Sequence, residues 1–147
     1  MGLSYLRADS AQLLLGIGFF DVDRVHRQLQ LQAEYRPAPH IDHLRTLVGL
    51  FVTQKSSLFA YGGVAYDILL GQHWILTPSF APGLYYRGNG KRLGYPLEFR
   101  SAIELNYLLF RRGDRIGLQL YHISNASLGD RNPGEQTLLL IYSLPLP

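Results

Sequence analysis

The segment QLQLQAEY, residues 28–35, alternates polar and apolar side chains along its whole length, and the alternation extends back to Val25 and His26. Successive side chains of a β-strand point to opposite faces of a sheet, whereas a helix would scatter this pattern around its axis. The sequence therefore predicts a strand over residues 25–35, with one apolar face and one face of Gln, His and Glu.

Further segments repeat this period of two, and turn-forming residues separate them about every dozen positions. They span residues 11–20, 44–53, 58–69, 74–86, 97–110, 115–125 and 136–144. Pro78 and Pro82 lie inside one of these strands, where each removes a backbone donor from the ladder. Eight such strands without a helical segment are typical of an up-and-down β-barrel.

The two faces of these strands distinguish two kinds of barrel. A soluble, lipocalin-like barrel buries its Leu and Phe, whereas an outer-membrane barrel turns them to lipid and fills its interior with polar side chains. Strands of about ten residues match a tilted span, and Glu98, Arg100 and Glu104 fall in the middle of a strand. We predict an all-β, eight-stranded antiparallel up-and-down transmembrane β-barrel, with a soluble lipid binder as the alternative.

Composition narrows the class of protein. The chain of 147 residues has no linker-like stretch, so residues 1–147 are expected to form one domain. The absence of cysteine excludes disulfides and thiolate metal sites, and a net charge of +3 with scattered Lys and Arg argues against nucleic-acid binding. No apolar run is long enough for a transmembrane helix. Residues 1–7 lack signal-peptide features, so a bacterial outer-membrane location implies an export signal absent from this chain.

A candidate catalytic pair lies in the segment YHISNA, residues 121–126. At strand spacing His122 and Ser124 continue the apolar face of Ile116, Leu118 and Leu120. A histidine can take the proton of a serine hydroxyl, and an ionisable group facing hydrocarbon is costly and usually functional. His-x-Ser alone is a weak motif, since polar residues at a strand end are often merely interfacial. The position favours an esterase acting on lipid over a structural or adhesive barrel.

The residues from His122 to Ala126, followed by Asn132-Pro133-Gly134, an acid and a last strand ending at Leu146, resemble the lipid A 3-O-deacylase (PagL) family. The resemblance is specific in the C-terminal third and holds only in outline elsewhere. It implies an eight-stranded outer-membrane barrel with a Ser-His-Glu triad on its lipid-facing outside. It also implies His122 as general base, Ser124 as nucleophile and Asn125 as a contributor to the oxyanion hole.

The third member of the triad is ambiguous. The family's glutamate stands two residues after the glycine, where this chain has Gln136, and parity places position 136 on the outer face. Glu135 stands one residue earlier, and a one-residue bulge would turn it toward His122. We predict Glu135 as the acid. The alternative is Gln136 as a neutral orienter, which would leave the imidazolium without an anionic partner and give weak activity.

The resemblance implies release of an ester-linked 3-hydroxyacyl chain from lipid A of lipopolysaccharide through an acyl-enzyme on Ser124. No cofactor is expected, and the histidines show no metal-ligand spacing. Lipid A and outer-membrane lipid are the implied partners, nucleic acid is not, and a homodimer is left open. Arg87, Lys91 and Arg92 are interpreted as solvated loop charges, with contact to the lipid A phosphates as the alternative.

Overall fold

The computed structural model describes residues 10–25, 27–109 and 113–147, and the regular elements in these ranges are strands. They are β1 (Ala11–Phe20), β2 (Gln28–Arg36), β3 (Leu44–Thr53), β4 (Leu58–Tyr66), β5 (Ile68–Leu70), β6 (Trp74–Tyr86), β7 (Leu97–Leu108), β8 (Arg115–Ser124) and β9 (Glu135–Leu146). Within the same ranges, no helix has the length and hydropathy needed to cross a bilayer.

The strands close into a ring. β1 pairs with both β2 and β9, and each remaining neighbour pair is antiparallel. β4 and β5 both pair with β6 in one continuous register, in which Ala65 faces Ser79 and Ile68 faces Leu76. They therefore act as one interrupted strand, and the chain forms a closed, eight-stranded antiparallel barrel, which confirms the predicted fold class.

The two prolines of β6 explain the interruptions in its ladder with β4 and β5. The pairing stops between Tyr61–Gly83 and Val64–Phe80, and the intervening stretch of β6 contains Pro82. Pro78 lies in the second gap, after the pair of Ala65 with Ser79. Since proline has no backbone N–H, these positions cannot donate to the neighbouring strand.

The apolar faces of the strands point outward. Leu31 and Leu118 expose 53% and 56% of their surface, while the neighbouring Gln30 and Gln119 are fully buried. This is the arrangement of a membrane barrel, whose outer surface meets lipid. The prediction of the two faces is confirmed, and the lipocalin-like alternative is wrong because it would place these leucines inside.

Paired charges fill the barrel interior. Arg36 donates through both terminal nitrogens to Glu104, at 3.1 and 3.0 Å, and through Nε to Glu34 at 2.5 Å. Tyr61 Oη donates to Glu34 at 2.7 Å, and Gln119 Nε2 donates to Glu104 at 2.7 Å. Buried charges are tolerated when hydrogen-bonded partners compensate for lost hydration, and this network meets that condition.

The predicted element boundaries are wrong at a few strand ends. β2 begins at Gln28, because Val25 lies in a turn in which Arg24 N donates to Asp21 O at 3.0 Å. Residue 26 and residues 110–112 are outside the described ranges, so the predicted end of the strand at residue 110 is not described. β8 stops at Ser124, and β9 begins one residue earlier than predicted, at Glu135.

Four connections gather at one end of the barrel, and we call their described residues the loop cluster: residues 21–25 and 27, 54–57, 87–96 and 125–134. Hydrogen bonds join them, such as Ser57 Oγ to Arg87 O at 2.7 Å and Asn89 N to Lys55 O at 2.9 Å. The candidate site lies at this end.

Candidate active site

His122 and Ser124 lie at the C-terminal end of β8, next to the loop cluster. His122 is exposed and Ser124 is half-buried, in the same outward alternation as Leu118 and Leu120. The intervening Ile123 is fully buried in the interior. A base and a hydroxyl thus lie on the lipid-facing side of the barrel, where an acyl chain could approach them directly.

Gln136 provides the hydrogen-bond partner of the imidazole. β8 and β9 pair in regular register, with His122 opposite Gln136 and Ile123 opposite Glu135. The side-chain nitrogen Nε2 of Gln136 lies 2.9 Å from His122 Nδ1. The outer face of β9 therefore presents an amide to the imidazole, at the position where the resemblance implies an acid.

Glu135 points into the barrel instead. Its side chain is buried, and one oxygen accepts the backbone N–H of Asp21 at 3.0 Å. Thr137 Oγ1 lies 2.9 and 2.8 Å from its two carboxylate oxygens. Regular pairing keeps Glu135 on the inward parity, so the predicted bulge is wrong and this carboxylate does not reach His122.

Asn125 anchors loops. Its side chain is fully buried, and Nδ2 donates to Leu93 O at 3.0 Å and to Arg131 O at 2.6 Å. Its backbone N–H donates to Asn132 Oδ1 at 2.9 Å. These donors already have protein acceptors, so Asn125 holds the loops together in this structure, and its predicted contribution to an oxyanion hole stays a prediction.

The turn after Ser124 presents other donors. Leu128 N donates to Asn125 O at 3.0 Å across Ala126 and Ser127, whose φ angles of 53° and 63° define a type I′ turn. In the described part of the chain, the backbone amides of Ala126 and Ser127 have no acceptor. Left-handed residues other than glycine cost about 1–2 kcal/mol, and such strain concentrates at functional sites.

Gly134 sets the space beside the imidazole. Its φ of 65° is left-handed, and a Cβ there would lie 2.9 Å from His122 Cε1. Lys91 Nζ donates to Gly134 O at 2.7 Å and to Asp21 Oδ1 at 2.9 Å. Three loops thus meet behind His122. The Asn-Pro-Gly sequence could have indicated a turn at Gly134. The contact between Lys91 and Asp21 could not be predicted from either local sequence.

None of the described residues forms a group of three or more His, Asp or Glu side chains that could hold a metal ion.

Asn125→Ala should act mainly through stability. The change removes two hydrogen bonds and takes the donor from the buried carbonyl of Leu93 and from the partly buried carbonyl of Arg131, so we expect the free energy of unfolding to fall by about 1–3 kcal/mol. Urea unfolding in detergent micelles measures this, with Asn89→Ala as a control at an exposed position of the same loop cluster. Unchanged stability with a hundredfold loss of rate would instead assign Asn125 to the oxyanion hole.

Comparison with known proteins identifies the family. A family model described as lipid A 3-O-deacylase (PagL) matches residues 42–145. A search of curated proteins finds no match. The chain is similar to the solved structure titled "Crystal structure of the outer membrane enzyme PagL", with a TM-score of 0.71 and 17% identity, over 92% of this chain and 99% of that one. Because the family model covers more than half of the chain, the protein belongs to the lipid A 3-O-deacylase (PagL) family of outer-membrane hydrolases.

Proposed function

We propose that this protein is an outer-membrane esterase that removes an ester-linked 3-hydroxyacyl chain from lipid A by attack of Ser124. The observation that supports this most directly is the outward position of His122 beside Ser124, with Gln136 bonded to the imidazole at 2.9 Å. A base and nucleophile on the lipid-facing surface suit a substrate that stays in the membrane. Family membership supports lipid A as that substrate.

In the proposed reaction, Ser124 Oγ attacks the ester carbonyl while His122 accepts the hydroxyl proton. The tetrahedral intermediate collapses, and the sugar hydroxyl leaves with the proton that the imidazolium returns. Water then attacks the acyl-enzyme with His122 again as base, which releases the 3-hydroxy fatty acid and regenerates Ser124. These bond-forming and bond-breaking steps need no cofactor.

We assign stabilisation of the oxyanion to the backbone amides of Ala126 and Ser127. They lie two and three residues after Ser124, and neither amide has a protein acceptor among the described residues. Fixed N–H donors that face a developing negative charge contribute about 3–4 kcal/mol each in comparable sites. The strained I′ turn is the device that holds them in place.

Gln136 is a positioning residue, and its amide can bond to the His122 imidazole in two orientations. If its carbonyl oxygen accepts Nδ1–H of His122, then Nε2 is free to act as the base. If its NH2 donates to Nδ1, the imidazole proton moves to Nε2 and the base is lost. A carboxylate permits only the first arrangement and also stabilises the imidazolium. We infer a slow enzyme, in which only one of two amide orientations is productive.

Mass spectrometry of lipid A after incubation with the purified protein in detergent micelles tests the proposal. The wild type should convert lipid A to a species that lacks one 3-hydroxyacyl group, whereas Ser124→Ala should leave it intact. Ser101→Ala is the matched control, because Ser101 is exposed on β7 directly opposite His122. Release by Ser124→Ala at the wild-type rate would exclude Ser124 as the nucleophile. The absence of release by the wild type and by Gln136→Glu would favour a non-catalytic barrel.

A further inference from the structure

A pocket that the proposed reaction does not use lies in the loop cluster. The connection between β6 and β7 forms one side of an open pocket of about 220 Å³, lined in part by Tyr85, Arg87, Arg92, Leu93 and Tyr95. Both charged residues of its lining are arginines, so the pocket is positive, and its remaining lining is largely aromatic or apolar. This combination suits an anionic group attached to a less polar body.

The two arginines are available for a ligand. Arg87 and Arg92 are exposed, and neither guanidinium has a hydrogen bond or ion pair with another described residue. Lys91, which lies between them in sequence, differs because its ammonium group already donates hydrogen bonds to Asp21 Oδ1 and to Gly134 O. The three cations of this loop therefore divide into one structural lysine and two free arginines.

The pocket has a fixed relation to the nucleophile. Leu93 forms part of its wall, and the carbonyl of Leu93 accepts the Nδ2 hydrogen bond of Asn125, the residue that follows Ser124. Gly94 packs closely on Gly129, because a Cβ added at Gly129 would lie only 2.4 Å from Gly94 O. A group bound in the pocket would therefore be held at a constant distance from Ser124.

We expect the pocket to lie at the level of lipid headgroups. It sits where the strands end, and the neighbouring Tyr86 and Tyr95 expose 67% and 42% of their surface. Exposed tyrosines at strand ends are typical of the membrane interface, where ring and hydroxyl meet the headgroup region. Guanidinium groups pair with phosphate through two parallel hydrogen bonds, which makes arginine the preferred side chain for phosphate recognition.

We propose that Arg87 and Arg92 bind a phosphate on the headgroup of a phosphorylated glycolipid and thereby present its ester to Ser124. The presentation of the ester to Ser124 rests on the proposed function, whereas the binding of phosphate by the two arginines can be measured without turnover. The bound phosphate anchors the polar end of the substrate, and the acyl chains extend along the apolar outside of β8.

The test measures binding with the Ser124→Ala protein in zwitterionic detergent micelles. Isothermal titration compares a diacylated glucosamine 1-phosphate with the same glycolipid lacking the phosphate. We expect the phosphorylated compound to bind at least about tenfold more tightly in low salt, with a smaller difference in 0.5 M NaCl. Arg87→Gln and Arg92→Gln should each reduce that preference, and the double variant should abolish it.

Lys55→Gln is the matched control, since it removes one exposed positive charge from the same loop cluster outside the pocket. It should retain the preference for phosphate. Equal loss in Lys55→Gln, or an intact preference in the double arginine variant, would overturn the proposal. Inorganic phosphate that bound as tightly as the glycolipid would also overturn it, because it would identify a site for the free ion. Binding without hydrolysis of lipid A by the wild type would contradict the proposed esterase activity alone.

Discussion

Gln136→Glu should raise kcat/KM for lipid A deacylation by about a hundredfold to ten-thousandfold, because it supplies the anion that the site lacks. Gln136 Nε2 lies 2.9 Å from His122 Nδ1, so the nearly isosteric change places a carboxylate oxygen at the same point. A carboxylate accepts only, which fixes the proton on Nδ1 and leaves Nε2 as the base. It also stabilises the imidazolium that forms when Ser124 loses its proton.

The matched series is assayed by mass spectrometry of lipid A in detergent micelles, with heat-modifiable gel mobility as the check on folding. Gln136→Ala should be slower than the wild type, because the imidazole then has no orienting partner. Glu135→Gln should change the rate only severalfold, since Glu135 contacts Thr137 and Asp21 inside the barrel. A folded Gln136→Glu protein no faster than the wild type would refute the assignment, as would a loss of several orders of magnitude in Glu135→Gln.

Glu104→Leu should lower the free energy of unfolding by about 3–5 kcal/mol, the cost typical of removing one partner from a buried ion pair. The change leaves both terminal nitrogens of Arg36 without their acceptor. Gln119 Nε2 and Asn106 Nδ2 also donate to Glu104, at 2.7 and 2.6 Å, and would lose a partner. Urea unfolding in liposomes or micelles measures the effect.

Leu105→Ala is the control for this measurement, because Leu105 follows Glu104 in β7 and points outward with 42% of its surface exposed. Its loss should matter much less, since a side chain that faces lipid in the folded state leaves no internal cavity. Equal stability of Glu104→Leu and the wild type would mean that the interior network does not hold the barrel together.

The barrel and the direction of its faces could be predicted because strand periodicity is a local property. Alternation in residues 28–35 fixes which side chains share a face, whatever the strand later pairs with. Charges in the middle of β7 then decide which face is inside, because an unpaired Glu104 or Arg100 facing lipid would be prohibitively costly. The outward position of His122 and Ser124 followed from the same parity.

The acid and the loop contacts could not be predicted in this way. Whether β9 begins with a bulge depends on the hydrogen bonds available to the inward side chain. Glu135 accepts one from the backbone N–H of Asp21, which is 114 residues away in sequence. The role of Asn125 depends on Leu93 in another loop, and that of Lys91 on Asp21, 70 residues apart. Such contacts form only after the barrel brings distant loops together, so no short stretch of sequence encodes them.

The pairing of the first strand with the last has a consequence for the timing of activity during assembly. β8 and β9 form a local hairpin and can bring His122 next to Gln136 early, because short loops close at low entropic cost. Asp21 follows β1 and reaches Glu135 and Lys91 only when Phe20 pairs with Thr137 and the ring is sealed. We therefore expect an unfinished barrel to hold His122 next to Gln136 without the supporting loops, so that the proposed hydrolysis begins only once the ring of strands is closed.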